Sequence, residues 1–211
     1  MADLTSKEWI TTKTYDGLVK NGILKDGWQK YHPADYWNPE LTRFHKLLPK
    51  GSVLEVGAGG GQHAKKLIDL GYKYTGTDIS EELLKIAHNY LPGQKFLLQS
   101  VYDLNFNEKF DGFWAAAILL HVPKERMDEA LSRIKSVVKH GGVGFISLIE
   151  GNGEGVRYED FEGQKHKRFF SFWRMAEFEK VLEKNGYKLV DFSSRPKSST
   201  ENWLCFFVEV G

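Results

Sequence analysis

The sequence has little that would permit covalent cross-linking or insertion into a membrane. Cys205 is the single cysteine among 211 residues, so an intramolecular disulfide is excluded. The longest uninterrupted apolar run, Phe113–Leu120, is much shorter than the roughly 20 residues that cross a bilayer. The first residues, MADLTSKEWI, lack the charged and then apolar order of a secretory signal peptide. These absences predict a soluble, cytoplasmic protein with no membrane partner.

An excess of charge of one sign is also missing. The chain has 29 Lys and Arg against 28 Asp and Glu, a net charge of +1, which argues against a nucleic-acid partner. There is no internal repeat, and the length fits one substantial domain. Aromatic residues are abundant, at 14% with six Trp. They are numerous enough to fill a core and also to line a pocket for a flat ligand.

From residue 39 onward, segments typical of strands alternate with segments typical of helices. This alternation predicts βαβ units with helices on both faces of a parallel sheet, which is a three-layer α/β sandwich. The last two strands have no helix between them, which predicts an antiparallel hairpin at one edge. The predicted strands are Ser52–Val56, Tyr72–Thr77, Lys95–Gln99, Phe110–Ala117, Val143–Ile149, Tyr187–Ser193 and Asn202–Val210.

Local signals assign four further segments. Residues 1–38 are rich in aromatic side chains with weak helical periodicity, and they are predicted to form a helical lid on the main domain, 39–211. Asn38 is predicted to cap a helix over Pro39–Leu48, and Ser80 to cap a helix that ends near Tyr90. The polar, glycine-rich stretch EGNGEGVRYEDFEGQ, residues 150–164, predicts a loop.

A burst of glycines follows the first predicted strand in VLEVGAGGGQH, residues 53–63. Four glycines in five positions cost backbone entropy, so a bound ligand explains them better than a tight turn alone. The dinucleotide fingerprint requires a glycine at its sixth position, where this chain has Gln62. The Gly-Lys-Ser/Thr sequence of a phosphate-binding P-loop does not follow either. The loop therefore predicts a nucleoside-like ligand without a tightly held pyrophosphate.

Two carboxylates narrow the choice of ligand. Glu55 lies two residues before Gly57, where a negative charge disfavours a phosphate and suits a cationic group. Asp78 ends the second strand, 21 residues beyond Gly57, and this spacing places a carboxylate against the hydroxyls of a ribose. S-adenosylmethionine (SAM) has the required ribose, sulfonium and ammonium groups.

These motifs together resemble those of a known enzyme family. VLEVGAGGG followed by TGTDIS resembles the first two motifs of class I SAM-dependent methyltransferases. FDGFWAAAILLHVP resembles the family's fourth-strand segment, and VVKHGGVGFISL resembles its helix, Gly-Gly turn and fifth strand. The resemblance covers residues 39–210. It implies a mostly parallel seven-stranded sheet in the order 3-2-1-4-5-7-6, with the last strand antiparallel, and SAM as the cofactor.

The resemblance also implies roles for the residues that match the motifs. Glu55 is expected to orient toward the methionine moiety, Asp78 to bind the ribose and Ile79 to flank the adenine. Ser100 stands where the family often has an Asp that contacts the adenine amino group. The full set of implied cofactor-binding residues is Glu55, Gly57, Ala58, Gly59, Gly61, His63, Asp78, Ile79, Ser100, Val101, Tyr102 and Ala116.

Methyl transfer from a sulfonium is an in-line displacement that holds the acceptor atom about 3 Å from the methyl carbon. It requires no metal, but an oxygen or nitrogen acceptor can require a general base. His121, just after the fourth strand, is the candidate base because histidine titrates near neutrality, with a pKa of about 6.5. The alternative is that His121 only packs against the following helix. His63 either contacts the methionine end of SAM or faces solvent.

The acceptor pocket is expected to come from the segments outside these motifs. Tyr15, Tyr31 and Trp37 are candidates for a lid that excludes water, or for ordinary packing on the sheet. Glu154 and Arg168 are candidates for binding a polar substrate, or for pairing with other charges. The expected activity is methyl transfer to a small-molecule acceptor. A nucleic-acid or protein methyltransferase, an NAD(P)-dependent oxidoreductase and a non-catalytic SAM-binding protein are the alternatives.

Overall fold

The computed structural model describes residues 6–24, 33 and 35–211. Nine strands and six α-helices lie in these ranges, with short 3-10 turns at Leu119–His121 and Lys124–Arg126. The helices are α1 (Ser6–Lys20), α2 (Asn38–Leu47), α3 (Gln62–Asp69), α4 (Glu81–Tyr90), α5 (Met127–Val137) and α6 (Met175–Lys184). The strands are β1 (Ser52–Val56), β2 (Lys73–Asp78), β3 (Phe96–Leu98), β4 (Phe110–Ala115), β5 (Val138–Glu150), β6 (Glu154–Phe161), β7 (Gln164–Trp173), β8 (Tyr187–Pro196) and β9 (Asn202–Val210).

The central sheet confirms the predicted α/β architecture and strand order. Strands β3, β2, β1, β4 and β5 lie side by side and are all parallel. The last strand, β9, pairs antiparallel with β5, and β8 pairs antiparallel with β9. With β6 and β7 set aside, the order is therefore the predicted 3-2-1-4-5-7-6. Crossover helices between parallel strands leave the carboxyl ends of β1, β2, β3 and β4 at one edge of the sheet.

The stretch predicted as a loop after β5 is instead a β-hairpin, so the prediction for residues 150–164 was wrong. Strands β6 and β7 pair with Phe161 opposite Gln164, which leaves a two-residue turn. Both turn residues have positive φ, 54° at Glu162 and 78° at Gly163, as the tight hairpin turns that match strand twist require. Charged residues and glycines concealed the strand period in the sequence. Strand β7 then joins the main sheet beside the end of β5, at Ile149 and Phe172.

Aromatic side chains fill the core on both faces of the sheet. The rings of Trp114 and Phe145, from adjacent strands, are stacked with centroids 4.1 Å apart. Trp37 packs edge-on against both Phe145 and Trp203, and so joins the segment before α2 to the sheet. Asn38 is the first residue of α2 and Trp37 is its cap residue, so the predicted Asn38 cap was wrong. None of the helices described here has the length and apolar character needed to cross a membrane.

Candidate functional site

A cavity of about 400 Å³ opens at the carboxyl edge of the parallel strands, where ligands bind in open α/β sheets. Strands β1, β2, β3 and β4 end at it, α1 covers it, and the β6–β7 hairpin forms one wall. Thirteen of the residues predicted from sequence line this cavity: Tyr15, Trp37, Gly57, Gly59, His63, Asp78, Ile79, Ser100, Val101, Tyr102, Ala116, His121 and Arg168.

The glycine loop after β1 brings backbone close to the cavity. Gly57, Gly59 and Gly61 all have positive φ, between 53° and 83°, a conformation that glycine adopts without strain. A Cβ on Gly57 would lie 2.6 Å from Cγ1 of Ile118, so this turn also has no room for a side chain. The N–H groups of Gly57 and Ala58 both donate to the carbonyl oxygen of Thr77, at 2.8 and 2.9 Å. These bonds attach the loop to the end of β2.

Asp78, the last residue of β2, is buried with its carboxylate held by backbone. Its Oδ2 accepts from the N–H of Gly59 at 2.8 Å, and its Oδ1 accepts from the N–H of Ser80 at 2.9 Å. Burial raises the pKa of Asp78 to about 6; these backbone bonds oppose that rise and the nearby Glu55 adds to it. The backbone N–H of Ile79 also favours the ionised form of this carboxylate. A carboxylate has about four lone-pair sites, so Asp78 keeps the capacity to accept from ligand hydroxyls.

Glu55 lies behind the cavity rather than in its lining. Its Oε1 lies 3.1 Å from Nδ1 of His63, and its Oε2 accepts from the hydroxyl of Tyr74 at 2.6 Å. Because an ionised carboxylate only accepts, Nδ1 of His63 carries the hydrogen of this bond. Burial, and then the charge of Glu55, raise the pKa of Tyr74. Glu55 therefore acts on the cavity by orienting and polarising His63, which does line it.

The end of β3 supplies a polar side chain to the cavity beyond the predicted Ser100, Val101 and Tyr102. Ser100 Oγ already accepts from the N–H of Tyr102, at 3.3 Å. The neighbouring Gln99 also lines the cavity, and its Oε1 is buried without a hydrogen-bond partner anywhere in the described chain. A buried, unpaired amide oxygen is unfavourable by about 1–3 kcal/mol. Gln99 is therefore ready to accept a hydrogen bond from a ligand.

His121 is held in one tautomer at the other end of the cavity. Its Nδ1 lies 2.6 Å from the carbonyl oxygen of Phe169, and because a carbonyl only accepts, Nδ1 carries the hydrogen. Nε2 is then left with a lone pair. Burial, and then the positive charge of Arg168, lower the pKa of His121 to about 3. The imidazole is therefore neutral at physiological pH and accepts hydrogen bonds through Nε2.

Arg168, on β7, lies close to His121. Its guanidinium pairs with Glu159 on the neighbouring strand and donates to the hydroxyl of Tyr15 from α1. It packs near the ring of Phe170, 5.0 Å from the centroid, and the imidazole of His121 packs on the same ring at 4.9 Å. The Nε–H of Arg168 is buried and finds no hydrogen-bond acceptor among the residues that the structure describes.

Helix α1 closes over the cavity through polar contacts. Thr11 Oγ1 accepts from the N–H of Phe169 at 3.0 Å, and Asp16 accepts from Ser80 Oγ at 2.5 Å. Glu8 is buried; its carboxylate accepts from the hydroxyl of Tyr102 and, at 2.9 Å, from Arg126. The helix therefore contacts both the β3 end and the β7 end of the site.

The structure places four predicted residues outside the lining. Ala58 is fully buried within the loop, and Gly61 is the cap residue of α3. Glu154 lies at the base of the hairpin, where it accepts from Nζ of Lys7 and from the backbone of Lys124. Glu55 is the fourth, and Tyr31 falls outside the described residues.

The cavity also contains residues that the sequence analysis missed. Glu159 and Phe170 lie on the hairpin that was predicted as a loop, and Glu8 and Thr11 lie on a helix whose periodicity is weak. A search for alternation in RYEDF and KRFFSFW would have been the only sequence signal for the hairpin residues. No group of three or more His, Cys, Asp or Glu side chains in the described ranges is arranged to hold a metal.

Comparison with known proteins gives three kinds of similarity. A family model described as a methyltransferase domain matches residues 53–142. An uncharacterized protein of Methanocaldococcus jannaschii is 32% identical over 160 residues, 72% of each chain. A ubiquinone biosynthesis O-methyltransferase of Coxiella burnetii is 28% identical, covering 83% of this chain and 87% of that protein. A 1,6-didemethyltoxoflavin-N1-methyltransferase of Burkholderia thailandensis, crystallised with 1,6-didemethyltoxoflavin and S-adenosylhomocysteine, covers 100% of this chain and 93% of its own at 20% identity, with a TM-score of 0.73.

Proposed function

Because this chain belongs to the class I SAM-dependent methyltransferases, with SAM as cofactor, we propose that it transfers the methyl group of SAM to a small-molecule acceptor by in-line displacement. The observation that carries the proposal is the cavity itself. One enclosed space joins the glycine loop and Asp78 at one end to His121 and Arg168 at the other. A donor and a small acceptor can therefore meet inside it. The names of the O-methyltransferase and N-methyltransferase relatives support a small acceptor.

The residues at the β1, β2 and β3 ends would hold SAM. The loop at Gly57 and Gly59 leaves room for the methionine and sulfonium, with the charge of Glu55 relayed through His63 to favour a cationic group. The free lone pairs of Asp78 suit the two ribose hydroxyls. The apolar side chains of Ile79 and Val101 would flank the adenine, and Gln99 Oε1 would accept from its amino group.

SAM supplies an electrophilic methyl group with a neutral thioether as the leaving group. The protein then has to orient the acceptor and to remove its proton. We assign this task to His121, whose Nε2 has a free lone pair on the cavity side. Because the pKa of His121 is lowered to about 3, the imidazole stays unprotonated before the reaction across the neutral range. It then takes the acceptor's proton only as the new bond to the methyl group forms.

The N-terminal segment would act as the lid of the site. Helix α1 covers the cavity with Glu8, Thr11, Thr12 and Tyr15, and it is held by hydrogen bonds to both ends of the site. Covering the cavity excludes water, which would otherwise dilute the electrostatic interactions that orient the reactants. Helix α1, within the 1–38 segment that we propose as a lid on the 39–211 domain, would have to open for the ligands to exchange.

Two measurements test this function. Isothermal calorimetry with SAM, S-adenosylhomocysteine and NAD should show binding of the first two and none of the third. Incubation of a metabolite extract with trideuteromethyl-SAM, followed by mass spectrometry, should reveal a small molecule that gains the labelled methyl group. Binding of NAD without SAM would point to an oxidoreductase. SAM binding without any labelled product would point to a binding protein, and label on RNA or protein to a macromolecular acceptor.

A further inference from the structure

We propose that the acceptor is a planar aromatic compound with a neutral ring hydroxyl, whose O–H donates to Nε2 of His121 and whose oxygen accepts from Nε of Arg168. The inference rests on the proposed function, and it narrows the class of acceptor. At one end of the cavity, two polar atoms have no partner in the described chain, and aromatic rings surround them.

The first of these atoms is a buried donor. Arg168 uses one terminal nitrogen for Tyr15 and the other for Glu159, so Nε is the one guanidinium nitrogen that has no acceptor among the described residues. A buried N–H without an acceptor is unfavourable, so the site is completed by an oxygen or nitrogen atom that accepts. The pairing with Glu159 also compensates the charge of Arg168, and so the missing partner need not be an anion.

The second atom is an acceptor, Nε2 of His121. The hydrogen bond to Phe169 fixes the tautomer, so Nε2 can only accept as long as the ring is neutral. Arg168 and His121 are neighbours, since both pack on the ring of Phe170, with the guanidinium carbon and the imidazole each within 5.0 Å of its centroid. A ligand group beside Phe170 that reaches both residues would meet a donor and an acceptor.

A neutral hydroxyl is the group that satisfies both atoms. A carboxylate accepts from Arg168 but has no hydrogen for His121, and an alkylammonium has hydrogens but no lone pair for Arg168. An ammonium would also add a positive charge beside a guanidinium whose field already disfavours protonation of His121. A hydroxyl donates once and accepts twice, which leaves one lone pair to attack the methyl group.

The walls around these atoms favour a flat ring. Besides Phe170, the cavity is lined by Tyr15, Tyr36, Trp37 and Trp203. Trp203 donates from Nε1 to the hydroxyl of Tyr36 at 2.7 Å, so its polar atom is satisfied and the rings present mainly apolar faces and edges. Aromatic faces and edges of this kind contact a planar aromatic ligand over more of its surface than a puckered aliphatic ring.

The step balances without any further reactant. A lone pair on the hydroxyl oxygen attacks the methyl carbon; the C–O bond forms while the C–S bond breaks, and its electron pair goes to sulfur. As the C–O bond forms, the hydroxyl proton becomes strongly acidic and passes to Nε2 of His121. The resulting imidazolium releases that proton to solvent when the product leaves, because burial and Arg168 disfavour the charged ring.

A matched set of naphthalene compounds tests the acceptor class. The S-adenosylhomocysteine complex of the full chain is titrated with 2-naphthol, 2-methoxynaphthalene, 2-(aminomethyl)naphthalene and decahydro-2-naphthol, with naphthalene fluorescence or calorimetry as the readout. We expect 2-naphthol to bind at least tenfold more tightly than the other three. With trideuteromethyl-SAM and an equimolar mixture, we expect label only on the naphthol oxygen.

Variants distinguish this geometry from general hydrophobic binding. Arg168→Gln and His121→Leu should each remove most of the preference for 2-naphthol over 2-methoxynaphthalene while S-adenosylhomocysteine still binds. Arg157→Gln is the control, because Arg157 lies directly opposite Arg168 on β6 yet pairs with Glu201 outside the cavity. It removes the same charge and should keep the preference.

The results distinguish an error in the acceptor class from an error in the proposed function. If S-adenosylhomocysteine binds but 2-naphthol does not, or if the amine or the alicyclic alcohol carries the label, the acceptor class is wrong and the cofactor assignment stands. If Arg157→Gln loses the preference as fully as Arg168→Gln, the role of Arg168 is wrong. If S-adenosylhomocysteine itself fails to bind, the proposed function falls and this inference falls with it.

Discussion

Nδ1 of His121 donates to the backbone carbonyl of Phe169 across 2.6 Å, and this bond joins the turn after β4 to the strand β7. The two residues are 48 positions apart in sequence. The bond determines which imidazole nitrogen faces the cavity, and the strand that accepts it also carries Arg168, whose charge acts on the ring. The hairpin therefore fixes the tautomer and orientation of His121 and, together with burial, keeps the imidazole neutral.

Replacing His121 with Gln should slow methyl transfer and leave cofactor binding intact. Glutamine keeps an acceptor oxygen but cannot take the proton, so we expect kcat to fall about 10²–10⁴-fold with an unchanged Kd for S-adenosylhomocysteine. Single-turnover rates and calorimetry measure the two quantities. Full activity in this variant would remove His121 as the base.

The low pKa of His121 also predicts a pH dependence. Its folded-state pKa, about 3, is below the ordinary 6.5, so the unfolded chain binds the extra proton between these values. The contribution of this residue to stability is therefore complete above pH 6.5 and declines by up to about 1.4 kcal/mol per pH unit as pH falls toward 3. Urea unfolding at pH 7.5 and 5.0 should show a smaller loss of stability for His121→Gln than for the native chain. Equal losses in both would contradict the lowered pKa.

Asp78 should make cofactor binding weaken as the pH falls below about 6. In the proposed complex, ribose hydroxyls donate to the ionised carboxylate. Because burial raises the pKa of Asp78 to about 6, binding would release a proton below this pH. We expect the affinity for S-adenosylhomocysteine to fall up to tenfold per pH unit below pH 6 and to level off above pH 7. Asp78→Asn should weaken binding by about 1–3 kcal/mol and remove this dependence. Asp69→Asn, on the exposed face of α3, is the control and should change neither.

We expect Gln99 to accept a hydrogen bond from the adenine amino group. In Gln99→Leu the acceptor is lost, and we expect about a fivefold to tenfold weaker affinity for S-adenosylhomocysteine, in line with one hydrogen bond. Gln99→Glu keeps the acceptor and cannot rotate to present an amide donor. It should bind S-adenosylhomocysteine and reject S-inosylhomocysteine, whose oxygen replaces the amino group. If both variants bind both ligands like the native chain, Ser100 or backbone makes this contact instead.

Loosening the lid should accelerate ligand release. Glu8→Gln weakens the buried contacts of α1 with Tyr102 and Arg126, so the helix should open more often. We expect faster dissociation of S-adenosylhomocysteine in stopped-flow chase experiments and faster hydrogen exchange over residues 6–20. Lys13→Gln, on the exposed face of the same helix, is the matched control. Similar release from both variants would mean that the helix is not a lid.

Gly57→Ala should destabilise the fold through backbone strain and through a steric clash with Ile118. The same substitution at Gly71 measures the backbone strain alone. Gly57 and Gly71 have similar positive φ, 79° and 88°, but a Cβ at Gly57 would meet Ile118 while one at Gly71 has open space. Gly71→Ala should therefore cost only the backbone strain, about 1–2 kcal/mol in urea unfolding. Gly57→Ala should cost more and should also weaken cofactor binding. Equal costs would show that Ile118 moves aside freely.

Local pattern was enough to place the glycine loop and Asp78 at one edge of the sheet, which is the proposed cofactor end of the cavity. The glycine loop and Asp78 lie within 22 residues of one another, on consecutive βα units, and chain connectivity alone places them at one sheet edge. The Ser80 cap was confirmed for the same reason, because its Oγ accepts from Leu83 only three residues away. The parallel sheet followed from the alternation of strands and helices, whereas the strand order 3-2-1-4-5-7-6 was implied by the resemblance to the methyltransferase family.

The acceptor end was decided by tertiary structure. Arg168 meets Tyr15 across 153 positions, and the loop predicted for 150–164 is a hairpin whose strand period was hidden by glycines and charges. Glu55 stands where the motif predicts it, yet its oxygens are taken by His63 and Tyr74, which the sequence does not reveal. The sequence thus determined the donor side, because its contacts are local along the chain. The protonation state of His121 and the unpaired atoms that face the acceptor depend on burial and on long-range charge, which only the folded chain brings together.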